Sequence, residues 1–229
     1  MFRVIVPLAL ALSSAGAKTQ DRPHLEPVGP NFDTYAAPWA KTYARLCEEM
    51  LFTRSNWVIR YHEISESAET GVSITKQQDG TFVVTAKQTR PALGPTVRSV
   101  FDQKLNLKSA LKTLKITERN AEIPERVVKA IRGYWISLLS DLQSDERPIT
   151  SIIFSNPVIL FVKTEEGKSL AGKLPIDAYK FRDMQVVEDI AWDLVDICVQ
   201  PKERHKKLFD RMEQRARESA DAMLKRNKK

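Results

Sequence analysis

This chain is poor in the residues that usually announce chemistry. Its 229 residues contain two cysteines, three histidines and eight glycines. The histidines (His24, His62, His205) show no pair at ligand spacing, and His62-Glu63 lacks the second histidine of a zinc-protease helix. With so few soft ligands, no metal and no cofactor is expected, and His62 reads as a structural or surface residue of a strand. G-x-S-x-G is absent, which removes the nucleophile elbow of the α/β-hydrolases. Asn-x-Ser/Thr is absent too, so a glycosylated ectodomain gains no support. Past the N-terminus, no apolar run approaches the ~20 residues that a membrane-spanning helix needs.

What is present begins with an address. Arg3 supplies a positive n-region, residues 4–11 an apolar h-region, and Ala15-Gly16-Ala17 an A-x-A cleavage site. Residues 1–17 are expected to be a signal peptide, with the mature chain starting at Lys18 and acting in the periplasm or outside the cell. No cysteine lies at the junction, which excludes a lipoprotein anchor.

Hydrophobic residues make up 42% of the chain and charged residues 28%, ordinary for a domain with a real core. The net charge of +7 is concentrated at one end. Residues 201–229 hold eleven Lys/Arg against five acids, while residues 18–200 balance at 24 of each. A nucleic-acid-binding domain would carry its positive stripe on the folded body, so no nucleic acid is expected. The tail residues Lys202, Arg204, Lys206, Lys207, Arg211, Arg215, Arg217, Lys225 and Arg226 are the expected contacts for an anionic surface or an acidic partner. Leu208, Met212, Ala216, Ala220 and Leu224 form only a thin stripe there, which predicts a solvated, partly frayed terminal helix.

In an oxidising compartment, Cys47 and Cys198 invite a disulfide. It would close a loop of about 150 residues, worth ~4–5 kcal/mol on chain-entropy grounds. The alternative is two buried thiols acting as small hydrophobes.

Along the chain, residues 18–35 hold Pro23, Pro27, Gly29 and Pro30 and read as an extended leader. A helix follows, with Asp33 or Thr34 as cap, Pro38 in its first turn, and Trp39, Tyr43, Leu46, Cys47, Met50 and Leu51 at helical spacing. Residues 56–64 read as a strand. Residues 71–78 and 81–88 flank Asp79-Gly80 and predict a hairpin whose turn takes positive φ at both central residues. Residues 96–116 fit helix and strand equally. Pro124 opens the clearest helix, with a stripe from Val127 through Trp135 to Leu142. Strands are expected at 150–154, 158–163 and 168–174, broken by Asn156-Pro157 and turned at Glu165-Glu166-Gly167. A third helix follows Pro175, with Asp177 as cap and Met184 to Cys198 as its stripe.

Short hairpin loops require antiparallel pairing. The expected class is α+β: an antiparallel sheet of hairpins, about three amphipathic helices packed on one face, and a basic C-terminal helix. Residues 36–200 form a single domain of two α–β–β halves.

The remaining motifs fail on context. Ser73-x-x-Lys76 and Ser109-x-x-Lys112 match the S-x-x-K of penicillin-recognising enzymes but lack K-T-G. Gly167-Lys168-Ser169 lacks the earlier glycine and the following helix of a phosphate loop. Glu48-Glu49 and Glu165-Glu166 diverge as sequence neighbours. Trp39 and Trp135 read as core, and Trp57 and Trp192 as core or groove-lining residues. With no catalytic constellation in view, the expected function is an exported, non-enzymatic binding protein of the inhibitor or immunity type, whose partner is another protein or an anionic envelope component. The alternatives are an envelope hydrolase with carboxylates drawn from distant segments and a surface-associated structural protein tethered by its tail.

Overall fold

Two runs of β-branched residues around Asp79-Gly80 place the centre of the molecule. In the computed structural model they form β3 (Glu69–Lys76) and β4 (Phe82–Arg90), paired antiparallel with Lys76 opposite Phe82. Of the two central turn residues, Gly80 alone takes a positive φ, +86°. Asp79 instead keeps negative φ and accepts hydrogen bonds from Thr81 N (2.9 Å) and Thr81 Oγ1 (2.7 Å). The expected turn with two left-handed residues is therefore replaced by a longer loop with one, closed by Gln77 N donating to Thr81 O at 2.8 Å.

The structure describes residues 26–27, 39–52, 55–65, 67–140, 158–174 and 182–226. The expected signal peptide, the leader apart from Glu26 and Pro27, the caps Asp33, Thr34 and Asp177, and the expected strand at 150–154 lie outside them.

The hairpin belongs to an antiparallel sheet in the order β1-β7-β6-β2-β3-β4-β5. The other members are β2 (Trp57–Ile64), β5 (Lys115–Ile123), β6 (Val158–Lys163), β7 (Ser169–Leu174) and the two-residue edge β1 (Glu26–Pro27). The helices are α1 (Ala40–Met50), α2 (Leu93–Asp102), α3 (Leu107–Leu111), α4 (Glu125–Ser140), α5 (Arg182–Val199) and α6 (Lys202–Arg226). The fold is α+β, as the pattern of elements predicts. The stretch left ambiguous, 96–116, resolves into α2, α3 and the start of β5.

The helices cover both faces of the sheet, not one. Ile59 and Tyr61 of β2, Val72 and Ile74 of β3, and Val158, Leu160 and Val162 of β6 pack against α4, α5 and α6. The alternate residues Ile64, Ile159 and Phe161 pack against α1 and α2. This explains why β6 reads as an unbroken run, Val-Ile-Leu-Phe-Val: a strand covered on both sides has no polar face to alternate. Gly71 serves the same two-sided packing. A Cβ there would sit 2.7 Å from Leu51 O, so its absence lets the end of α1 lie directly on β3.

The C-terminal segment differs most from expectation. Instead of fraying, α6 buries Leu208, Met212, Ala216 and Met223 in the same core as α4 and α5. Alanines contribute little to a hydropathy stripe, yet small residues let two helices approach closely, and the stripe is therefore thin by hydropathy but well suited to packing. Ion pairs fasten the helix: Arg126 of α4 binds Asp210 (2.8 Å) and Glu213, Arg211 binds Asp193 of α5 (2.8 Å), and Arg215 binds Asp189 (3.2 Å).

Candidate functional site

The densest polar chemistry among the described residues lies on the α1–α2 side of the sheet, fully buried. Tyr43 and Cys47 are four apart on α1 and so project from one face toward the sheet. In β2, His62 pairs with Gly71 of β3, while Glu69 lies two residues along β3 and opposite Ile64. Period-two alternation puts His62 and Glu69 on the same sheet face as diagonal neighbours. The imidazole is flanked by the rings of Phe52 (centroids 5.7 Å) and Tyr43 (6.4 Å).

Everything converges on one carboxylate. Glu69 Oε1 accepts from Tyr43 Oη at 2.6 Å, from His62 Nε2 at 2.6 Å and from Cys47 Sγ at 3.6 Å. Its other oxygen, Oε2, accepts from Gly94 N at 2.8 Å, in the first turn of α2. Because an ionised carboxylate only accepts, Nε2 of His62 carries a proton. Burial by itself raises the Glu69 carboxyl, but the hydrogen bonds and charge of His62, together with the Tyr43 and Gly94 donors, outweigh it and hold the group below its ordinary value. Cys47 goes the other way. Burial first, and then the Glu69 charge, push its thiol well above the usual range. The arrangement can thus hold a negative charge in the core, and it offers sulfur, nitrogen and oxygen donors within 4.8 Å of one another. It is sealed: Cys47, His62 and Glu69 have zero exposure.

The second feature is a cleft of about 870 Å³ on the other side of the sheet, where β5 and the C-terminus of α5 meet the first turns of α6. Ile197, Cys198 and Phe209 give it an apolar floor, and Arg126, Lys202, His205 and Lys206 a basic rim. Of the tail cations expected at an anionic surface, Arg211, Arg215 and Arg217 are engaged with Asp193, Asp189 and Glu213, and Lys206 with Asp210. Arg204 donates to Gln200 Oε1 at 3.2 Å. Lys202, Lys207 and Lys225 are exposed and form no ion pair among the described residues, and the side chain of Arg226 lies outside the description.

The expected disulfide is not formed; both cysteines are free. Cys47 packs in the α1–α2 cluster, whereas Cys198 packs on the opposite side of the sheet, its Sγ 3.4 Å from Leu194 O and 3.7 Å from Val84 O. Both lie on the apolar stripes of their helices, but the two stripes face opposite sides of the sheet and cannot meet. Ser73 is buried in β3, and Lys76 turns away over the Phe82 ring at 5.9 Å, so that S-x-x-K match forms no pair. Glu48 binds Arg60 (2.7 Å) and Glu49 binds Arg45 (3.1 Å), diverging as neighbours do. Trp39 and Trp135 are core, Trp57 lies between Arg60 and Lys163, and Trp192 is exposed.

Sequence reasoning passed over His62 and Glu69 as a site. The available signal was a histidine at an inward position of a strand, with a carboxylate at the matching inward position across a hairpin. Register had to be known before the two could be paired. The chain matches no described protein family, no curated protein and no solved structure.

Proposed function

We propose that this is an exported, non-enzymatic interaction protein that takes an acidic, partly apolar segment of a partner protein into the cleft beside β5 and α6. The observation that carries the reading is the juxtaposition of an apolar floor (Ile197, Cys198, Phe209) with a cationic rim (Arg126, Lys202, Lys206). The floor rewards apolar contact, and the rim selects for negative charge and speeds encounter. The paired arginines further along α6 serve the fold, which leaves the helix's first two turns to recognise the partner. The sealed Glu69 centre supports the same reading, since a buried group does not reach a substrate.

The test uses fluorescent peptides that alternate acidic and apolar residues, compared with copies in which lysine replaces each acid. Anisotropy should show binding of the acidic set alone, weakened by salt. The double reversal Lys202→Glu, Lys206→Glu should lower affinity about tenfold or more. Equal binding of both sets, or of neither, removes the cleft as the binding site. Export has its own readout: protein recovered from the cell envelope should carry Lys18 as its first residue by mass spectrometry.

A further inference from the structure

The oxygen Oε1 of Glu69 has two lone pairs and three donors directed at it: a phenol, an imidazole N–H and a thiol. In water such crowding is relieved by solvent. Here the atoms are enclosed, and the thiol is left at the long distance of 3.6 Å. Donors crowded onto one acceptor, with sulfur, nitrogen and oxygen all within 4.8 Å, form the surroundings of a cation that replaces protons.

We propose that Cys47 Sγ, His62 Nε2 and Glu69 Oε1 bind a zinc ion, with Tyr43 Oη beside them, 2.6 Å from Glu69 Oε1. The donor set suits a borderline-soft ion that accepts thiolate, imidazole and carboxylate together in a four-coordinate site. Charge balances: one thiolate and one carboxylate neutralise the dication, so a closed apolar pocket holds no net charge. On binding, Cys47 releases its thiol proton to solvent, and the single proton of the neutral His62 ring moves from Nε2 to Nδ1, which frees Nε2 for the metal. Gly94 N then holds Glu69 Oε2, orienting the ligand as outer hydrogen bonds do in metal sites. Three protein ligands leave one position to Tyr43 Oη or an enclosed water, and the site is structural because the sealed pocket admits no substrate. It ties α1, the β2–β3 hairpin and the first turn of α2 together. Because the ligands have zero exposure, metal enters as the chain folds and afterwards exchanges slowly.

The experiment refolds the untagged chain with cobalt(II) as the probe, dialyses it, and records the absorption spectrum and the metal content. The expected result is about one cobalt per chain with a thiolate-to-cobalt charge-transfer band. The band should persist in Cys198→Ser and vanish in Cys47→Ser. A chain that retains no cobalt, or retains it without a thiolate band, overturns the proposal and leaves a hydrogen-bonded centre held by protons alone. A band lost in Cys198→Ser and kept in Cys47→Ser overturns it too. Wild type alone decides the first question, so a core variant that fails to fold does not remove the test.

Discussion

A fully buried carboxylate is costly unless its charge is matched, and Glu69 shows how the match is made. Its four donors come from three elements, α1, β2 and α2, so this residue of β3 reports on whether all four have docked. In metal-free protein held in chelator, the directions of the shifts fix the shape of the stability–pH curve. Glu69 is depressed in the folded state, so its contribution is present above the unfolded value of about 4.3 and is lost as pH falls through the folded value. Cys47 is raised, so its contribution is full below about 8.5 and declines as pH rises beyond that. Thermal melts should therefore show a plateau between those limits. Glu69→Gln should lower stability by about 1–3 kcal/mol at neutral pH and flatten the acid limb, because it removes the buried negative charge that the Tyr43, His62 and Gly94 donors hold and sets an amide N–H among them. An acid limb unchanged in that variant would mean that other carboxylates control it.

At the scale of elements, α6 is where composition misleads. A helix with so many charges reads as solvated, yet its Met212 is fully buried, and its arginines reach across to Asp189 and Asp193 of α5. Helices of low mean hydropathy dock when their few apolar residues fall on one line and the charges beside that line find partners. Met212→Ala should cost about 2–5 kcal/mol, seen as a lower urea midpoint with an unchanged m-value. A cost below 1 kcal/mol would indicate an α6 that packs only loosely. On the same ground, a chain ending before α6 exposes the α4 surface and is not a neutral truncation.

For the molecule as a whole, the decisive feature is a sheet with helices on both sides at its centre and a bare strand at one edge. β2 and β6 are buried on both faces, whereas residues 115–120 of β5 are exposed throughout. Lys115, Glu118 and Arg119 supply the charges that keep such an edge from pairing with another chain. Native-state hydrogen exchange should follow this gradient, with β2, β3 and β6 slowest and β5 fastest of the six long strands. Equal protection across the sheet would mean that it opens only by global unfolding. The charge asymmetry is reshaped at this scale as well. The surplus of the last 29 residues is partly cancelled by α5, and of the lysines left without an ion pair among the described residues, Lys202 lines the cleft.

Local periodicity was enough to determine several elements, though not the 96–116 stretch, where helix and strand patterns tie. The Asp79-Gly80 hairpin, the 158–163 strand and the helix after Pro124 follow from alternation, turn chemistry and a helical stripe, all of which are properties of short stretches of chain. The α+β class follows from their order. Local periodicity says nothing about which face of a sheet a helix will cover. Cys47 and Cys198 each sat correctly on a stripe, and only the tertiary structure placed those stripes on opposite sides. Tyr43, Cys47, His62, Glu69 and Gly94 likewise meet through strand register and helix docking, which depend on the packing of the whole core. The hydrogen-bonded centre exists because those long-range contacts bring four ordinary residues onto the carboxylate of a fifth.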